Sequence, residues 1–329
     1  MENKLEMKTL RKSFSTIGWA LLIYMLIMNM AAILEGIVQS FLAMIKLFAQ
    51  GNLDPSTEQV EKMVQSMSGG MGWSYLLTIL VGYVILRMWK GKAFCRKEIW
   101  KRGAPMDLGS FLCQFCVMVS AQLAFSLMYP LMEMVLNQFG MTAMPSVESA
   151  TGNSTGLMIF LYVCILGPIA EELLFRGLVL RLLLPHGKRF AILLSALLFG
   201  VFHGNVVQIP YAFLAGLIFG YTTVEHSIAW AMVLHMFNNM VLSDMSTRLG
   251  TFIGEDTSSL LFGMLIMVCS IAAVVIAIVR RHDIWAYVHA NKVDNRKVQA
   301  FFTSGGILTF LILTEVLVVA GLLLQLIPV

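Results

Sequence analysis

The sequence Glu171-Glu172-Leu173-Leu174-Phe175-Arg176 places two adjacent acids and an arginine inside an otherwise apolar run from Leu157 to Leu184. A charged side chain at a bilayer centre costs about 2.5–3.5 kcal/mol on insertion scales. Charges this dense must be compensated by one another or by a water-filled cavity. On a helix Glu172 and Arg176 are i,i+4, share a face and are expected to pair. Glu171 is turned about 100° away and lacks that partner. The unpaired carboxylate is the one expected to do chemistry. The blander reading is an ion-pair network that only orients helices.

Two more apolar segments carry polar side chains at helical spacing: Phe199-Gly200-Val201-Phe202-His203 and His235-Met236-Phe237-Asn238-Asn239. In each, the outer two residues share a helix face. A lone intramembrane histidine is more often a packing residue than a catalyst, but two histidines, an Asn and an acidic pair within one stretch shift that balance. Depth brings them together. Glu171 lies 14 residues before Pro185 and His203 lies 14 residues after Arg189, so each is roughly 20 Å from the same turn. His235 and Asn239 lie roughly 12 and 18 Å from the turn at Ser227 by the same rise.

A carboxylate and an imidazole can deprotonate water for attack on a carbonyl, with or without a metal. A histidine and an Asn amide can donate to the resulting oxyanion. This set suits amide hydrolysis. The chain has no H-E-x-x-H motif and no convincing serine–histidine–acid arrangement. No cysteine stands beside the histidines. Cys113 and Cys116 form a C-x-x-C inside an expected span and read as small packing residues.

The elements that must position these residues follow from composition. The 329 residues are 58% hydrophobic and 13% charged, against about 25% charged in soluble domains. This is an all-α, polytopic helical membrane protein. The net charge of +4 is small, and the basic residues gather between apolar runs, which points to topology and a lipid bilayer rather than nucleic acid. About nine transmembrane helices are expected: 17–48, 73–89, 108–128, 157–184, 190–203, 211–224, 228–244, 260–279 and 301–327. Residues 1–16, 49–72, 129–156 and 245–259 read as polar or irregular segments outside the spans. The basic stretches 90–102 and 280–297, with the cytoplasmic N-terminus, fall on one side under the positive-inside rule. The expected location is the plasma membrane. No repeat or soluble domain is visible, so residues 1–329 read as one membrane domain with 157–243 as its catalytic core.

The ordered set E-E-x-x-x-R, F-x-x-x-H and H-x-x-x-N resembles the CPBP family of intramembrane proteases, which includes the CAAX prenyl endopeptidases and the bacterial Abi, or bacteriocin-immunity, proteins. Glu171, Glu172 and Arg176 match the first motif, Phe199 and His203 the second, and His235 and Asn239 the third. The resemblance covers residues 157–243. It implies a CAAX-protease-like core and an intramembrane endopeptidase, in a bacterial plasma membrane, acting on a membrane-associated peptide or protein. Glu171 would be the general base assisted by His203, and His235 and Asn239 the oxyanion donors. The family is also described as metal-dependent, which implies an alternative in which Glu172, His203 and His235 hold Zn2+. A catalytically idle scaffold of the same fold and a proton-coupled transporter are the competing functions; the absence of an internal repeat counts against the transporter.

Overall fold

The computed structural model describes residues 2–67, 73–151, 160–241 and 246–324, and every regular element among them is helical. A helix satisfies its own backbone groups, which hydrocarbon cannot do. In chain order the helices are α1 (Glu2–Ala49), α2 (Thr57–Met67), α3 (Trp73–Ala93), α4 (Leu108–Asn137) and α5 (Met144–Thr151). The helix carrying the acidic pair comes next. It runs in consecutive segments, Tyr162–Leu166, Gly167–Glu172, Leu173–Leu180 and Arg181–Leu183, the first and third of them π-helical. After it come α6 (Lys188–Phe202), α7 (Gln208–Glu225), α8 (Ile228–Asn239), α9 (Ser246–Ile253), α10 (Glu255–Val279), α11 (Arg281–Ala290), α12 (Asn295–Phe302) and α13 (Gly305–Leu323).

The stretches expected to span are largely helical where described, but the last, expected from Phe301, is broken at Thr303 and Ser304 between α12 and α13. Lys4–Ala49, Leu108–Asn137, Glu255–Val279 and Gly305–Leu323 are long and apolar enough to cross a membrane by themselves. The other expected spans are shorter, interrupted or charged. α6 has 15 residues and α8 has 12, reaching about 22 and 18 Å against a hydrocarbon core of about 30 Å. The segments expected to be irregular are more helical than the sequence suggested. Residues 2–16 continue α1, 57–67 form α2, 144–151 form α5, 246–253 form α9, and most of 281–302 is α11 and α12. Polarity there excluded a span but did not exclude a helix. The glycine-rich end of 49–72, the expected span start at Leu157, the span end at Asp244 and the last residues to Ile327 lie outside the described residues.

The short helices α6, α7 and α8 pack with the motif helix, flanked by the α1–α13 pair and the α4–α10 pair. The core is rich in phenylalanine. Phe14, Phe190 and Phe301 meet with ring centroids 5.6–6.1 Å apart and join α1, α6 and α12. The crossing of α1 and α13 is a backbone contact: a Cβ on Gly306 would fall 2.0 Å from the Ser15 carbonyl oxygen, and one on Gly18 would fall 2.1 Å from the Gly306 carbonyl carbon. Small residues at helix crossings allow this approach. Outward-facing Ile, Val, Leu and Met on α1, α10 and α13 remain exposed, as lipid-facing side chains do.

Turns at one end of the bundle tie the basic segments together. Arg181 Nη2 donates to the carbonyls of Ile99 (3.3 Å) and Lys101 (3.0 Å), Lys188 pairs with Glu225 (2.8 Å), and Lys297 Nζ donates to the His186 carbonyl (3.1 Å). Phe14 packs its ring on His186 at 4.9 Å, which brings the start of α1 to the same end.

Candidate active site

Glu172 is fully buried and makes two contacts through one oxygen. Arg176 Nη1 donates to its Oε1 at 2.8 Å, and His235 Nδ1 lies 2.9 Å from the same atom. The i,i+4 pair expected from the sequence is therefore present, with a third member from α8. Arg176 is itself fully buried. Its Nη2 donates to the Gly216 carbonyl of α7 at 3.1 Å, and its guanidinium lies over the Phe199 ring, 4.3 Å from the centroid. Phe219, also from α7, stacks on the His235 ring at 4.7 Å and 19°. Gly216 admits the arginine because a Cβ there would lie 3.2 Å from Nη2. A buried charge is tolerated only when paired and hydrogen-bonded; the two partners and an aromatic face supply most of this, while Glu172 Oε2 and Arg176 Nε have no hydrogen-bond partner among the described residues.

Glu171 faces elsewhere. Its side chain is 31% exposed and, with His203, His235, Asn239, Tyr211 and Asn238, lines a cavity of ≈ 350 Å³. Glu171 Oε2 is 3.7 Å from His235 Nε2. The adjacent acids thus differ in environment, as the 100° turn between them requires: Glu172 points into packing and Glu171 into the cavity.

The hydrogen bonds assign the imidazole nitrogens. His203 Nδ1 lies 2.8 Å from the Phe199 carbonyl, one helical turn back. A carbonyl only accepts, so Nδ1 carries the hydrogen and Nε2 is left for the cavity. In His235 the carboxylate of Glu172 accepts from Nδ1 in the same way, which again leaves Nε2. Phe199 sits edge-on to both rings, at 4.8 Å from His203 and 5.7 Å from His235. It therefore supports both imidazoles as well as the arginine.

Asn239 Nδ2 donates to the Val163 carbonyl at 2.8 Å, and Asn239 Oδ1 accepts from Asn238 Nδ2 at 3.1 Å. Tyr211 Oη donates to Asn238 Oδ1 at 2.5 Å. The asparagine expected as an oxyanion donor is thus part of a chain that ends on the first π-helical turn of the motif helix. Such turns recur at functional sites.

The proposed ligand set Glu172, His203 and His235 does not fit a metal here. Glu172 is not on the cavity wall, and its Oε1 is taken by Arg176 and His235. His235 turns its Nδ1, not its free nitrogen, towards it. Among the described residues no three His, Cys, Asp or Glu side chains converge as metal ligands do.

Tyr211, Gly216, Phe219 and Asn238 were not singled out by the sequence. Asn238 lies inside the third motif string and was passed over for its neighbour. Tyr211, Gly216 and Phe219 sit in the apolar body of α7, with no charged neighbour to mark them.

Residues 153–241 match the family model described as Rce1-like: type II CAAX prenyl endopeptidase Rce1-like. The match contains all six candidate residues and coincides with the stretch on which the resemblance to the CPBP family rests. The segment that carries most of this cavity is thus similar to the CAAX-protease type of helical membrane domain. No curated protein and no solved structure matches the chain.

Proposed function

We propose that the protein is an intramembrane endopeptidase that cleaves a peptide bond of a membrane-associated protein or peptide with water activated at Glu171. The observation that carries the reading is the division of labour between the paired acids. Glu172 is locked by Arg176 and His235, while Glu171 faces the cavity beside His235 Nε2 at 3.7 Å.

The chemistry follows from which atoms are free. The Glu171 carboxylate takes one proton from a water in the cavity. The Nε2 lone pair of His203 accepts the water's other hydrogen and orients the oxygen. The new C–O bond forms on the substrate carbonyl carbon, and the carbonyl π pair moves to oxygen as an oxyanion. The proton taken up by Glu171 can be shared with His235 Nε2, 3.7 Å away, whose N–H then donates to this oxyanion, and the Asn239 amide lies on the same wall. As the C–N bond breaks, Glu171 returns its proton to the departing amine. No step is routed through a metal, because among the described residues no three His, Cys, Asp or Glu side chains converge as ligands.

The substrate reaches the site from the bilayer or its surface, because the cavity lies among helices whose outer faces are apolar. The basic end of the bundle, with the start of α1, lies in the cytoplasm under the positive-inside rule. The test is cleavage of candidate membrane peptides by purified wild type and Glu171→Gln. Loss of cleavage in a variant that still folds is the expected result. A variant that cleaves at the wild-type rate would overturn the assignment.

A further inference from the structure

A second cavity, of ≈ 470 Å³, lies at the basic end of the bundle and is separate from the catalytic one. Four cations line it, Lys101, Arg102, Arg181 and Lys188, against one carboxylate, Glu98. Arg181 is ten residues beyond Glu171 on the motif helix, about 15 Å along its axis.

The walls of this cavity are fixed by hydrogen bonds. Gly103 N donates to the His226 carbonyl at 2.6 Å, Ala104 N donates to the Glu225 carbonyl at 2.8 Å, and His226 Nδ1 meets the Ala104 carbonyl at 3.1 Å. A Cβ on Gly103 would lie 2.3 Å from the Glu225 carbonyl oxygen, so this close approach needs glycine. Arg181 is held by the Ile99 and Lys101 carbonyls, yet its Nε is buried with no hydrogen-bond partner among the described residues. An unpaired buried donor is costly, and a small turn of the Arg181 side chain towards an anion in the cavity would give it an acceptor. Lys188 is neutralised by Glu225, which also accepts from Tyr287 Oη at 2.9 Å. Lys101 and Arg102 are exposed and form no ion pair among the described residues.

We propose that this cavity binds the phosphate group of an anionic phospholipid. A guanidinium beside two uncommitted cations matches a phosphate, and basic pockets between membrane helices on the cytoplasmic side bind such head groups. A zwitterionic choline head group would bring a quaternary ammonium against the same cations and is disfavoured.

The experiment measures thermal stability and retained lipid for the detergent-solubilised full chain. It compares phosphatidylglycerol, phosphatidylcholine of the same acyl chains, and inorganic phosphate. The variant is Lys101→Gln with Arg102→Gln, which touches neither the catalytic cavity nor an ion pair. Phosphatidylglycerol should raise the melting temperature of the wild type and co-purify with it, while phosphatidylcholine should not. The double variant should bind about tenfold or more weakly. Equal stabilisation by phosphatidylcholine, or an undiminished phosphatidylglycerol effect in the double variant, would overturn the proposal. Inorganic phosphate reproducing the whole effect through the same two residues would overturn the lipid as its source.

Discussion

His235 and Glu172 are joined between Nδ1 and Oε1 at 2.9 Å, with the carboxylate fully buried and Arg176 on its other flank. This contact fixes the imidazole so that its other nitrogen faces Glu171. One acid of the adjacent pair therefore positions the histidine, and the other shares the cavity with it.

Breaking that network should cost stability before it costs chemistry. Arg176→Ala leaves Glu172 as a buried charge facing only an imidazole, a loss of about 3–5 kcal/mol. Protein level in the membrane and melting temperature should both fall. The double change Glu172→Gln with Arg176→Met should restore part of the level. It should not restore full activity, because His235 loses its anionic anchor. A double variant no more stable than Arg176→Ala would sink the pairing argument.

Glu171 should behave in the opposite way. It is partly exposed and outside the buried network, so Glu171→Gln should leave the melting temperature nearly unchanged while abolishing turnover. His235→Gln keeps a donor near the oxyanion and should retain measurable activity, with a smaller loss than the about 10²–10³-fold of removing a donor outright. Peptidase rates of the two purified variants, with melting curves alongside, check both statements. A Glu171→Gln protein that unfolds early would mean that this acid is structural.

Zinc content separates the two water-activation schemes. Purified wild type should contain far less than one zinc per chain, and chelators should leave its rate unchanged. If instead one zinc per chain were found, and lost together with activity in both His203→Ala and His235→Gln, the metal-free scheme would be wrong. Two histidine ligands lost one at a time would each leave a remnant that holds zinc poorly.

The α1–α13 crossing gives a test away from the site. Gly306→Ala puts a methyl 2.0 Å from the Ser15 carbonyl oxygen, and overpacking of this kind costs about 1–3 kcal/mol or more. The melting temperature should drop. Gly36→Ala, on the same α1 but with no atom within 4 Å of the new methyl, should be neutral or slightly stabilising, because alanine is the better helix former.

The sequence by itself determined that this chain is a helical membrane protein, because its 58% hydrophobic residues gather in continuous runs, which in lipid satisfy their backbones as helices, and not in the short alternating segments of a barrel. It also determined which side chains stand out. Glu171, Glu172, Arg176, His203, His235 and Asn239 are polar groups in apolar surroundings, and the pairing of Glu172 with Arg176 was legible because i,i+4 neighbours share a helix face whatever the rest of the fold does. Only the tertiary structure decided how they divide. Nothing local says that His235, 63 residues on, turns Nδ1 to Glu172, so the ligand set Glu172–His203–His235 was chemically reasonable on the sequence and is geometrically unmade. Gly216 and Phe219 were silent for the same reason: a glycine carbonyl and a phenyl face become partners of Arg176 and His235 only when α7 packs across the motif helix. Helices α2, α5, α9, α11 and α12 were also missed, because hydropathy marks what belongs in lipid and does not register helices in the polar segments between spans. Spacing along one helix is a local property that the sequence carries. The choice of partner between helices depends on packing, which positions atoms to within a hydrogen-bond length and has no counterpart in residue order.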